Sequence, residues 1–162
     1  MSPYPISITQ LRLLSSFNGF AVNITDCLTI HSDEIFYAYD DKALKYSVCT
    51  NSIPSELLLN QEYFTIKNDS KKNIIFWSID GKFITKSKMQ KCDCAIFDEN
   101  TFCLVEFKTD SEGKSTETKE DIINHAQAQI ITTYKLIEEK IKAKGVDLLD
   151  KVTIEGHICL SK

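Results

Sequence analysis

Arginine is almost missing from this chain. Arg12 is the single example among 19 Lys and Arg residues. The arginine fork is the usual bidentate reader of guanine in the major groove, so its scarcity argues against an autonomous reader of DNA sequence. A basic surplus is missing too. The 19 cations face 23 acids, for a formal net charge of −4, whereas a non-specific duplex binder usually carries excess positive charge. No apolar run reaches the roughly 18 residues of a membrane span. The opening residues Met1-Ser2-Pro3-Tyr4-Pro5 lack the charged start and apolar stretch of a secretory signal. The expectation is a cytoplasmic protein without a membrane partner. The six cysteines (27, 49, 92, 94, 103 and 159) lack Cys-x2-Cys knuckles, and are expected to be buried free thiols that behave as small hydrophobes. His31, His125 and His157 show no ligand spacing and are expected at the surface or in satisfied core positions. There is no internal repeat, low-complexity tract or interdomain linker. At 162 residues and 43% hydrophobic content, the chain is expected to form one domain over 1–162.

What the chain does contain is a concentrated polar constellation inside its most apolar stretch. Residues 91 to 108 read as two apolar runs joined by Asp98-Glu99-Asn100-Thr101, the pattern of a β-hairpin. A turn centred on Glu99-Asn100 pairs Phe97 with Phe102, Ala95 with Leu104, and Asp93 with Glu106. Side chains alternate along a strand, so Lys108 shares the face of Glu106. Two opposed carboxylates roughly 5 Å apart repel by on the order of 3 kcal/mol at an effective dielectric of about 20. A divalent cation would turn that repulsion into a binding site. The same register places Cys92, Cys94 and Cys103 on the opposite face. Asp98 and Asp110 are read as turn and loop residues. Lys82, Lys86, Lys88 and Lys91 fall in an acid-free run leading into Asp93, an approach suited to a phosphate backbone, although a solvated loop has the same composition.

Asp93, Glu106 and Lys108, spaced Asp-x12-Glu-x-Lys across a hairpin, resemble the motif of the PD-(D/E)XK nuclease superfamily, the restriction-endonuclease-like fold. Cys92 stands where the family name has proline. The resemblance implies that Asp93 and Glu106 hold Mg²⁺ (Mn²⁺ as a substitute), helped by the backbone carbonyl of Phe107. It implies that Lys108 orients the attacking water and offsets charge on the phosphate. The activity implied is hydrolysis of phosphodiester bonds, in DNA ahead of RNA. The alternative is a non-catalytic nuclease-fold module that works with a partner protein. A homodimer is also compatible.

Element order extends the resemblance. Residues 6–17 fit a short helix or a strand, 20–30 a strand, and Glu34–Tyr39 with Leu44–Cys49 a hairpin around Asp40-Asp41. Pro54 opens a short helix over 54–63, with Ser52 as a cap. Asn73–Ile79 reads as a strand closed by a turn at Asp80-Gly81. Thr109–Thr116 reads as an exposed loop. Thr118 caps a long helix reaching Lys144, with Gly145 as its stop, and Lys151–Leu160 closes as a strand. The expected fold is α/β with a mixed sheet: an αβββαβ core over 52–162 and an N-terminal β-rich extension over 1–50. The long helix offers an apolar stripe at Ile123, Ile130, Ile131, Tyr134 and Ile141, with Gln127 inside it. In RecB-like members of the superfamily a Gln and a Tyr on this helix approach the site, spaced Gln-x3-Tyr. Here Gln127 and Gln129 stand seven and five residues before Tyr134, and Gln127 is the preferred candidate. A further glutamate from the preceding helix would be Glu56, ahead of Glu62.

Overall fold

The hairpin register is the pattern around which the chain is built. In the computed structural model, which describes residues 3–86, 88–108 and 118–161, β6 (Cys94–Phe97) and β7 (Thr101–Lys108) pair antiparallel. Phe97 lies opposite Phe102, Ala95 opposite Leu104, and Cys94 opposite Val105. The turn is closed by Asp98, whose Oδ1 accepts the Asn100 and Thr101 amides at 2.8 Å each. This is a local side-chain mimic of a turn, as Asp readily forms.

This hairpin is the centre of a five-stranded mixed sheet. β1 (Leu28–His31) and β5 (Ile74–Ser78) extend it on one side, and β8 (Thr153–Leu160) on the other, in the order β1-β5-β6-β7-β8. Among the described strands, β7 and β8 alone run parallel, linked through α4 (Lys119–Lys142) and the one-turn helix α5 (Leu148–Lys151). A parallel pair requires such a crossover. A second sheet, β3-β2-β4, contains β2 (Ile35–Asp41), β3 (Tyr46–Thr50) and β4 (Phe64–Lys67). The architecture is α+β.

The two faces of the central sheet build two cores. On the α4 face, Trp77, Ala95, Phe97, Phe102 and Leu104 meet Ile137 and Ile141, together with Ile8, Leu13 and Phe17 from the N-terminus. On the other face, Phe76, Cys94, Ile96, Val105 and Phe107 meet Phe36 and Ala38 of the three-stranded sheet. Strand alternation explains the division: odd positions of β6 and even positions of β7 face α4.

Several local expectations are corrected. Residues 6–17 form two one-turn helices, α1 (Ile6–Thr9) and α2 (Leu13–Ser16), separated at Arg12, which has φ 50°. Residues 20–30 are not one strand. The Asn23 side chain accepts the Thr25 amide and starts a 3-10 turn over Ile24–Cys27, so the strand begins only at Leu28. Local Asn capping competes with the ladder there. The N-terminal stretch is therefore part of the main body, since β1 is a strand of the central sheet. The helix expected over 54–63 is a single turn, α3 (Ser55–Leu58). It is capped by Pro54 without a side-chain bond, and Gln61 at φ 53° redirects the chain toward β4. Lys151 closes α5 rather than opening β8. The loop expected over Thr109–Thr116, with Asp110, lies outside the described residues. Among the described residues no helix is long and apolar enough to cross a membrane.

Candidate functional site: three carboxylates and two ammoniums at the hairpin mouth

The antiparallel ladder ends at Cys94–Val105, and the site begins where it ends. Continued pairing would set Cys92 against Phe107. Instead the Cys92 amide donates to Thr133 Oγ1 of α4 at 2.7 Å, and the Phe107 amide donates to the Asp93 carboxylate at 2.6 Å. The Asp93 side chain thus takes the ladder's next acceptor position. This detour also corrects the expectation for Cys92, which sits in the α4-side core while Cys94 and Cys103 lie toward the opposite face.

Asp93, Glu106 and Lys108 come together as the register predicts. Lys108 Nζ lies 2.9 Å from Glu106 Oε1. Glu106 is only 2% exposed, and its Oε2 meets no donor among the described residues. The group sharing that space is the Asp93 carboxyl. Two acids in contact need a proton or a cation between them. Burial, then the charge of Glu106, raises Asp93 from 3.8 to about 8, against the pull of the Phe107 amide. Burial raises Glu106 as well, opposed by Lys108. Without a bound cation the Asp93–Glu106 pair is thus biased toward sharing one proton.

Phe107 enters the site through its amide on Asp93. Glu56 is exposed on α3 and lines a separate cleft with Asp40 and Glu62. The acids whose charge bears on Asp93 are Glu106, Asp40 and Asp80. Asp80 and Asp40 are acids that the sequence reading left out of the site, because Asp80-Gly81 and Asp40-Asp41 both have the composition of ordinary turns. The Asp93 carbonyl accepts both the Ile79 and Asp80 amides, at 2.9 and 3.2 Å. Two residues against one is the signature of a bulge, a device that re-aims a side chain at a strand end. Gly81 fixes the turn. Its φ is 81°, and a Cβ there would collide with the Lys45 carbonyl at the tip of the β2–β3 hairpin. Asp80 Oδ1 then lies 3.5 Å from Lys91 Nζ, and its charge also acts on Glu106.

The glutamine of the site is Gln129, not Gln127. Gln129 Oε1 accepts from Lys108 Nζ at 2.6 Å, while its Nε2 donates to the Lys91 carbonyl at 3.1 Å. It therefore bridges both strands at the hairpin mouth. Thr133, one turn on, makes the second tie through Cys92 and returns its own hydroxyl to the Gln129 carbonyl at 2.8 Å. Gln127 is exposed. The error was one of helical phase. The buried positions of α4 are Ala126, Thr133, Ile137 and Ile141, with Ile131 half exposed. Spacings of three and four link Ala126, Gln129, Thr133, Ile137 and Ile141. Counting the small Ala126 and the neutral Thr133 as inward positions would have selected Gln129 from sequence.

The lysine approach is only partly as expected. Lys91 is 5% exposed and turns inward, donating to the Lys86 and Met89 carbonyls. Lys82 lies over the Tyr46 ring. Lys86 and Lys88 remain exposed. A cleft of about 370 Å³ lined by Asp80, Lys88, Met89, Gln90, Lys91, His125 and Gln129 opens beside the carboxylates. The arrangement can hold a hard divalent ion through oxygen donors, with an ammonium fixed beside it and a cleft at its rim. In comparisons with known proteins, no family model, no curated protein and no solved structure matches this chain.

Proposed function

We propose that this protein is a metal-dependent nuclease hydrolysing phosphodiester bonds, in DNA ahead of RNA. The observation that carries the reading is the buried Asp93–Glu106 acid pair, with its orphaned Glu106 oxygen, beside Lys108 held by Gln129. A buried acid pair of this kind is a standing cost in the absence of an ion, and the donors present suit Mg²⁺ or Mn²⁺. Asp93 and Glu106 would hold the ion, with Asp80 at the edge of the site. The bound ion would lower the pKa of a water and neutralise phosphate charge. Lys108, fixed between Glu106 and Gln129, orients the nucleophilic water and offsets charge developing on the phosphate. Gln129 keeps the ammonium in place. Lys88, at the rim of the adjoining cleft, and the neighbouring Lys86 offer cations to the nucleic-acid backbone. The resemblance of Asp93, Glu106 and Lys108 to the PD-(D/E)XK motif supports the same reading.

The test is cleavage of plasmid and single-stranded DNA, and of RNA, with Mg²⁺ or Mn²⁺. Activity is expected in the parent and lost in Asp93→Ala and Lys108→Ala. Variants as active as the parent would remove the proposal. A second reading is favoured by the net charge of −4: a non-catalytic nuclease-fold module that depends on a partner protein for nucleic-acid affinity. Calorimetry separates the two, since absence of divalent-ion binding at millimolar concentration supports the module.

A further inference from the structure

A second constellation sits on the other face of β7 and plays no part in the site above. Cys103 lies opposite Glu155 in the parallel β7–β8 ladder, and His157 follows Glu155 on the same face of β8. Their ligand atoms all lie within 4.8 Å of one another. Glu155 Oε2 is the shared centre: Cys103 Sγ donates to it at 3.5 Å and His157 Nε2 lies 3.0 Å away. The Phe64 ring packs edge-on against the imidazole with centroids 5.2 Å apart, which limits its rotation.

We propose that Cys103, Glu155 and His157 bind a borderline-soft dication such as Zn²⁺, as a three-ligand site with its fourth position open to water. The spacing fits. Tetrahedral zinc with bonds of about 2.0–2.3 Å sets its ligand atoms about 3.3–3.7 Å apart; the two edges at Glu155 are 3.5 and 3.0 Å, and the Cys103–His157 edge lies within 4.8 Å. The donor set fits as well. A thiolate with an imidazole selects zinc, cobalt or copper over magnesium or calcium. Solvent reaches the site, because the side chains of His157 and Glu155 are 37% and 48% exposed. Binding forms one S–metal, one N–metal and one O–metal bond, and breaks the Cys103 S–H bond. That proton leaves to solvent, and the neutral imidazole, whose Nε2–H now faces the Glu155 carboxylate, shifts its proton to Nδ1 through solvent so that Nε2 can bind the ion. The ion would pin the edge strand β8 to β7 through side chains. Cys103 and Glu106 point to opposite faces of β7, so this site stands independently of the proposed hydrolytic one.

The experiment uses the reduced full chain titrated with Co²⁺ as probe. The near-ultraviolet thiolate-to-cobalt charge-transfer band is expected to saturate at one Co²⁺ per chain, and in Asp93→Asn, which lacks the carboxylate pair of the other cation site, its growth should release one proton per ion. Zn²⁺ should bleach the band, and excess Mg²⁺ should leave it unchanged. Cys103→Ser should abolish the band. His157→Gln and Glu155→Gln should weaken binding by at least about tenfold to a hundredfold, the scale of losing even a supporting group at a metal site. Cys49→Ser, Cys159→Ser and Asp93→Asn should keep the band. No charge-transfer band, or one that survives in Cys103→Ser, overturns the site. Alkylation of the wild-type chain gives a check free of variant folding. Zn²⁺ should protect Cys103 from modification, and equal labelling with and without Zn²⁺ overturns the proposal equally.

Discussion

Asp93→Asn is expected to make the metal-free protein more stable while removing its response to Mg²⁺. The substitution keeps the shape of the side chain. An amide oxygen can still accept from the Phe107 amide, and the new NH₂ supplies Glu106 with a donor at every pH, where the Asp93 carboxyl supplies one only while the pair is protonated. The magnitude follows from the acid it replaces. Asp93 is raised from 3.8 in an exposed chain to about 8 in the fold. At about 1.4 kcal/mol per pH unit, that sets a ceiling on the order of 6 kcal/mol. Proton sharing with Glu106 and local relaxation offset much of that ceiling, which leaves about 1–3 kcal/mol. The pH dependence has a definite sign. Between 3.8 and about 8 the native carboxyl holds a proton that the unfolded one has lost. Wild-type stability therefore falls as pH rises through that window and levels off above it. The variant has no such proton, so its advantage is near zero at about pH 4 and full above about pH 8. Thermal denaturation in EDTA at several pH values reads this directly. At about 2–4 °C per kcal/mol for a chain of this size, the variant should melt about 3–10 °C higher in alkaline buffer. Added Mg²⁺ should then raise the melting temperature of the parent alone. A variant no more stable than the parent in alkaline EDTA, or one stabilised equally by Mg²⁺, would refute the electrostatic account of the site.

Three further substitutions test the supports. On the proposed nuclease reading, Gln129→Ala should lower turnover by about tenfold or more, the scale of a misplaced catalytic group, while Gln127→Ala leaves it unchanged; steady-state cleavage assays compare them. Thr133→Val leaves the Cys92 amide without its acceptor, and should cost about 1–3 kcal/mol in urea unfolding. Gly81→Ala combines an unfavourable positive φ with a collision at the Lys45 carbonyl, and should cost more than about 1 kcal/mol, read by the same urea titration.

The hairpin was legible because its information is local. A two-residue period and a polar turn fix register, and register places Glu106 and Lys108 on one face, while Asp93, just past the end of the ladder, is held beside them by the bulge against Ile79 and Asp80 and by the Phe107 amide. The α4 boundaries were legible for a similar reason, since Thr118 and Gly145 act on the few residues beside them. The mixed α/β character was legible as well, but the expected αβββαβ order from α3 onward omitted β4, which joins the second sheet, and the one-turn helix α5 before β8. What it left open depended on neighbours far along the chain. Asp80 joins the acids only because β5 bulges against Asp93 and Gly81 lies against the β2–β3 tip. Gln129 displaces Gln127 because the phase of α4 is set by what its buried face packs on, and small or neutral residues such as Ala126 and Thr133 carry little pattern. Cys103, Glu155 and His157 converge only because β8 lies parallel to β7 in one register. Periodicity along a chain reports which way each side chain points, and only the folded sheet decides which distant side chains it meets there.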